Sequence, residues 1–135
     1  MANTPHHVEV VVHRVDMLTR MMQMQHAFQT RVNGYDVDTQ TVEQRIDNFK
    51  EAVLACTDEL HEAMRETGWK SWATSRHFHK DRVCEELIDA WHFMMNLFLH
   101  AGLTAEDVFT MYVLKHAVNN KRQDDGYDGV SSEQT

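Results

Sequence analysis

Two pairs of acids, Glu59-Leu-His-Glu62 and Glu86-Leu-Ile-Asp89, each set three residues apart, lie inside stretches of helical periodicity. That spacing puts both acids of a pair on one helix face. If the two helices pack together, four carboxylates converge and repel one another unless a hard cation sits among them. Oxygen-only ligation suits Mg²⁺ or Mn²⁺, and a polyphosphate is the substrate class such a site serves. One pair alone would read as solvated charge on an exposed helix face. The second pair changes that reading, because Asp89 is embedded in Leu87-Ile-Asp-Ala-Trp-His-Phe-Met-Met95. Nearly every neighbour there is apolar, and a buried charge is costly unless paired or metal-bound.

Phe93 and Asn96 follow Asp89 on the same helix face, where they either line a pocket above the metal or fill the core. Phe93 and Trp91 are the aromatic rings available for stacking on a base. Further on, Lys115, Asn119 and Arg122 form one stripe of a helix. A Lys, an amide and an Arg so disposed grip phosphate oxygens, the Arg bidentately; the competing reading is a basic helix end that complements the helix dipole. Cys56 lies one turn before Glu59, but a thiolate is a poor partner for Mg²⁺. Cys56 and Cys84 both sit in apolar helical stretches and are expected to be reduced core thiols. His77 and His79 are close together but lack zinc-ligand spacing with a suitable carboxylate.

Helices must position these residues. The chain has 135 residues, one domain's worth, with nine Met, five Gly and a single Pro at position 5, so little interrupts helix formation. The expected fold is all-α, a bundle of four to five helices. A first helix runs from about Val12 to Val32 and stops at Asn33-Gly34. A second, capped by Asp38 or Thr41, runs to near Gly68. Residues 69–80 form a connecting loop long enough to be functional. A third helix from Lys80 or Asp81 stops at Ala101-Gly102, and Thr104-Ala-Glu-Asp107 reads as a capping box opening a fourth helix to about Arg122. The domain is expected over residues 1–127, with 128–135 a mobile tail.

The formal net charge of −8, with 13 basic residues against 21 acidic, argues against a nucleic-acid groove. No apolar run approaches the roughly 20 residues of a membrane span, and the start has no signal-peptide pattern. The expectation is a cytoplasmic protein with no membrane or nucleic-acid partner. The broad apolar faces of four helices exceed what one chain hides, so a homodimer or a dimer of dimers is expected.

In order along the chain come Met24-Gln25-His-Ala-Phe28-Gln29, Glu59-x-x-Glu62 leading into Trp69-Lys70-x-Trp72, Glu86-Leu-Ile-Asp89-Ala-Trp-His92-Phe93, and Lys115-x-x-x-Asn119-x-x-Arg122-Gln123-x-x-Gly126-Tyr127. This series resembles the dimeric dUTP diphosphatases of the all-α nucleoside triphosphate pyrophosphatase superfamily, which includes the MazG-like enzymes, and the resemblance covers about Met17 to Tyr127. It implies that Glu59, Glu62, Glu86 and Asp89 hold Mg²⁺. It places Gln25, Trp69, His92, Phe93 and Asn119 around the nucleoside, with Gln29 a second base contact. Lys70, Lys115 and Arg122 would bind phosphates, and Tyr127 would close the site. The implied reaction is Mg²⁺-dependent hydrolysis of dUTP to dUMP and pyrophosphate, with Glu59 or Glu62 activating water. An amide, Gln25 or Asn119, would read the uracil edge, and its reversal would admit cytosine. The alternatives are a MazG-like diphosphatase with a different preference (dCTP and dUTP, or a purine nucleotide) and a non-catalytic helical assembly protein.

Overall fold

The computed structural model describes residues 15–129. Four helices account for most of them: α1 (Met17–Asn33), α2 (Val42–Arg65), α3 (Lys80–His100) and α4 (Ala105–Asp124), with a short 3-10 helix at Val37–Thr39. Among the described residues there is no strand, only an isolated antiparallel bridge between Thr67 and Phe78. The all-α expectation holds. The expected residues 12–14 of the first helix and 130–135 of the tail lie outside the described residues.

The boundaries follow local chemistry. Asp16 caps α1 by accepting from the Thr19 amide at 2.9 Å, and those hydrogen bonds hold its carboxyl below the usual range. Gly34 ends the helix at φ +74°, a left-handed conformation for which glycine has no Cβ penalty. Thr41 and Gln44 form a reciprocal capping box on α2, and Thr104 and Asp107 form the expected one on α4.

α2 and α3 form the central hairpin. Contacts along it climb one helix as they descend the other: Glu66 with His79 at 3.2 Å, Cys56 with Ala90 at 3.5 Å, and Arg45 with the His100 carbonyl at 3.0 Å. The connection closes tightly, since the Gly68 amide donates to the His77 carbonyl and the His79 amide to the Glu66 carbonyl. α1 lies against α3 and the 3-10 helix, while α4 rests on α1.

The buried core is small: Met22, Val37, Ala52, Cys56, Ala63, Val83, Ala90 and Met95. Small side chains on the facing sides of α2 and α3 let the two helices approach closely. Cys56 is buried as expected, but Cys84 is exposed. It falls on the outer side of α3, away from the face that carries Val83 and Ala90. No helix among the described residues is long and apolar enough to cross a membrane.

Candidate active site

The α2–α3 register sets Glu59 opposite Glu86. Carboxylate oxygens of Glu59, Glu62 and Glu86 come within 4.8 Å of one another, and all three residues are half-buried. Burial, first, and then a hydrogen bond with Glu86 and the charges of Glu62, Asp89 and Glu86 raise the pKa of Glu59. Three acids held this close carry uncompensated negative charge, and their donors are all oxygen. That set fits a hard divalent cation.

Asp89, the fourth expected ligand, adds its charge to this field and borders the adjoining cavity, but it is exposed rather than buried. The apolar run around it misleads because Leu87 and Ile88 also face outward in a single chain, 46% and 56% exposed.

Beside the acids lies a cavity of about 280 Å³ lined by Gln25, Phe28 and Gln29 of α1, Glu59 of α2, and Asp89, His92, Phe93 and Asn96 of α3. Its size is near the lower end of the roughly 300–1,000 Å³ common for small-molecule pockets. Aromatic rings and amides together suit a nucleobase. His92 Nδ1 sits 2.8 Å from the Ile88 carbonyl. A carbonyl only accepts, so Nδ1 carries a proton, and of the two neutral tautomers this contact selects the one in which Nε2 is the acceptor.

Gln25, Gln29, Glu59, Asp89, His92 and Phe93 are thus gathered as expected. Trp69 and Lys70 are not in this cavity; they line a separate one of about 440 Å³ at the end of α2, with Arg65, Trp72 and His77. The Lys70 ammonium lies 6.0 Å from both the Trp69 and Trp72 rings.

Lys115 borders a third, apolar cavity of about 630 Å³ between α4 and the end of α3. Asn119 and Arg122 are exposed on α4. Tyr127 folds back so that its amide donates to the Arg122 carbonyl at 2.8 Å, with the Arg122 guanidinium 5.5 Å from its ring. Within one chain, the cations of α4 therefore do not border the cavity that Glu59 shares.

Asn96 lines the cavity, the pocket-facing of the two placements its spacing from Asp89 allows, and Phe28, to which the sequence assigns no role, lines it as well. Their signals were helical spacing, Phe28 one turn from Gln25 and Asn96 two turns from Asp89. A separate group joins the middle of α1 to the 3-10 helix, where His26 Nε2 is 3.1 Å from Asp38 and 3.5 Å from Asp36. It braces α1 against the 3-10 helix.

The sequence pattern of the dUTPase family matches residues 17–103, from the start of α1 to just past α3. The chain belongs to the dUTPase family. The expected nucleoside triphosphate diphosphatase class stands with it. The matched segment of this dUTPase-family chain holds the acids and the cavity, whereas α4 lies beyond it. A dCTP pyrophosphatase of Enterobacteria phage LZ5 is 29% identical over 153 aligned positions, covering 90% of this chain and 88% of the relative. A dCTP pyrophosphatase of Enterobacteria phage T4 is 34% identical, covering 60% and 55%. A T4 DNA replication protein is 32% identical over 58% of this chain and 24% of its own length. No solved structure matches.

Proposed function

We propose that this chain hydrolyses the pyrimidine deoxynucleoside triphosphates dUTP and dCTP to the monophosphate and pyrophosphate, with Mg²⁺ as its cofactor and Mn²⁺ as a substitute. The observation that carries the reading is that Glu59 belongs at once to the acid cluster and to the wall of the base-sized cavity. A base in the cavity would leave its phosphates beside the carboxylates. The family supplies the uracil precedent and the phage relatives the cytosine one.

Glu59, Glu62 and Glu86, with Asp89 at the edge, are the residues that would hold the cation. When bound, it neutralises phosphate charge and favours departure of pyrophosphate. Water attacks the α-phosphorus, the bond from that phosphorus to the bridging oxygen breaks, and the electron pair leaves with pyrophosphate. The proton from water passes to Glu59 or Glu62. Phe28 and Phe93 supply apolar cover for the base, and His92, with its tautomer fixed, offers an acceptor.

The working unit we infer is a homo-oligomer. On α4, Phe109, Tyr112 and Leu114 are 64%, 66% and 64% exposed. Lys115 lies at the edge of this apolar surface, so a second copy covering it would bring the α4 cations to a subunit boundary. Lys70, Lys115 and Arg122 remain the proposed phosphate ligands, with Asn119 near the nucleoside and Tyr127 closing the site. The chemistry is tested by separating products after incubation with each common deoxynucleoside triphosphate and dUTP, with Mg²⁺ and with chelator. Metal-dependent pyrophosphate from dUTP and dCTP is expected; release from neither would sink the reading.

A further inference from the structure

Gln25 on α1 and Asn96 on α3 are each only 5% exposed, and Gln25 Nε2 donates to Asn96 Oδ1 at 2.7 Å. Both line the cavity beside the acids. We propose that these two amides act as one unit that reads the edge of the pyrimidine, Asn96 being the specificity-determining residue that orients Gln25. This inference rests on the pyrimidine-nucleotide reading above.

Each amide has a donor end and an acceptor end. The observed bond engages the carbonyl of Asn96 and one N–H of Gln25, leaving Gln25 Oε1 as an acceptor and Asn96 Nδ2 as a donor. Reversing one amide alone would set like against like where little water reaches, and unpaired buried polar groups are costly. The two must therefore turn together. In the second state Asn96 Nδ2 donates to Gln25 Oε1, and the free atoms become Gln25 Nε2 and Asn96 Oδ1.

These two states match the two bases. Cytosine presents an amino donor at ring position 4 beside an acceptor at N3; uracil presents an acceptor at position 4 beside a donor at N3. The order of donor and acceptor is reversed between the bases, as it is between the states of the pair. Among the described residues, no further hydrogen bond pins either amide. The bound base selects the state, and the pocket accepts both cytosine and uracil while rejecting an edge that complements neither state.

The test is calorimetric binding of α,β-methylene analogues of dCTP, dUTP and 3-methyl-dUTP with Mg²⁺. The proteins compared are wild type, Gln25→Leu, Asn96→Leu and the double variant, with steady-state kinetics on the natural nucleotides. For wild type, dCTP and dUTP analogues are expected to bind within about tenfold of each other, and the 3-methyl compound at least about tenfold more weakly than dUTP. Each single variant is expected to weaken dUTP binding by about tenfold or more, or 1.4 kcal/mol. It should also erase discrimination against the methyl group and raise KM far more than it lowers kcat. The double variant should be no worse than either single one, because the amides act together. A wild-type preference between dCTP and dUTP beyond about tenfold, or single losses that add in the double variant, would overturn the proposal. The wild-type comparison needs no variant to fold. Turnover with additive losses overturns this inference alone, whereas no pyrophosphate from wild type overturns the functional reading.

Discussion

The Cys56 thiol donates to the Ala90 carbonyl at 3.5 Å, joining α2 to α3. The contact lies one turn from both Glu59 and Glu86. A sulfur committed to a backbone carbonyl in the hairpin core acts as a spacer, and its size helps set how far apart the opposing carboxylates stand. Cys56→Leu adds volume where Ala52, Ala63 and Ala90 leave little room. It is expected to cost about 1–3 kcal/mol and to depress pyrophosphate release by spreading the acids. Denaturant unfolding and a turnover assay check both effects, and Cys56→Ala should retain more activity than Cys56→Leu.

Charge crowding predicts a trade between function and stability at Glu59. Its raised pKa means that the folded chain disfavours the charged carboxylate, so the neutral isostere relieves repulsion when no cation is present. Glu59→Gln is expected to raise Tm in chelator while lowering Mg²⁺-dependent turnover by at least about 100-fold, a loss of about 2.7 kcal/mol in transition-state stabilisation. Added Mg²⁺ should raise the Tm of the wild type more than that of the variant. Scanning calorimetry with and without Mg²⁺ reads this directly, and an unchanged Mg²⁺ response would remove Glu59 from the metal set.

Gly68 is where the connection between α2 and α3 permits no side chain. A Cβ there would lie 2.0 Å from the Ser75 carbonyl oxygen and 3.0 Å from the Arg76 Cα, all backbone that cannot swing aside. Gly68→Ala should therefore shift the loop carrying Trp69 and Lys70, at a cost of about 1–3 kcal/mol. If those residues serve the nucleotide, KM rises in step. Retention of wild-type Tm would show that the loop opens freely.

His100 is 2% exposed. Burial, and secondarily the Arg45 guanidinium, lowers its pKa from the ordinary 6.5. Its Nδ1 lies 3.4 Å from Gln40 Nε2, while Gln40 Oε1 is held by Asn48 at 3.1 Å. Protonation would place a donor against a donor. The unfolded chain binds this proton at higher pH than the folded one. Its contribution is therefore fully present above about pH 6.5, declines as pH falls from there to the lowered folded value, and falls no further below it. Denaturant midpoints measured from pH 8 to 5 should decline in that window, and His100→Leu should flatten the decline.

Much of the hairpin could be read from the chain. The stops at Gly34 and Gly102, the Thr104 cap and the opposed acid pairs each depend on local spacing, which sequence records faithfully. Glu59 was legible for the same reason, whereas Gln25 is marked as a site residue only by the resemblance to the dimeric dUTP diphosphatases. The separation of Trp69 and Lys70 from the acids was not legible, since the loop path depends on the Gly68–His77 hydrogen bond and the Thr67–Phe78 bridge. Cys84 was misjudged as core because hydrophobic periodicity marks which faces are apolar but not which of them one chain covers.

That same distinction bears on α4, whose apolar residues from Phe109 to Val118 are exposed. If a second copy covers Tyr112 and Leu114, then Leu114→Asp places a charge at the interface, where desolvating it without a partner is costly. Light scattering should show the wild type as an oligomer and Leu114→Asp as a smaller species. Turnover should fall with assembly if the α4 cations serve across the boundary, even though residue 114 does not line the Glu59 cavity. Full activity in a demonstrably monomeric variant would place the phosphate-binding cations within one chain instead, leaving Lys70 as the residue to test next.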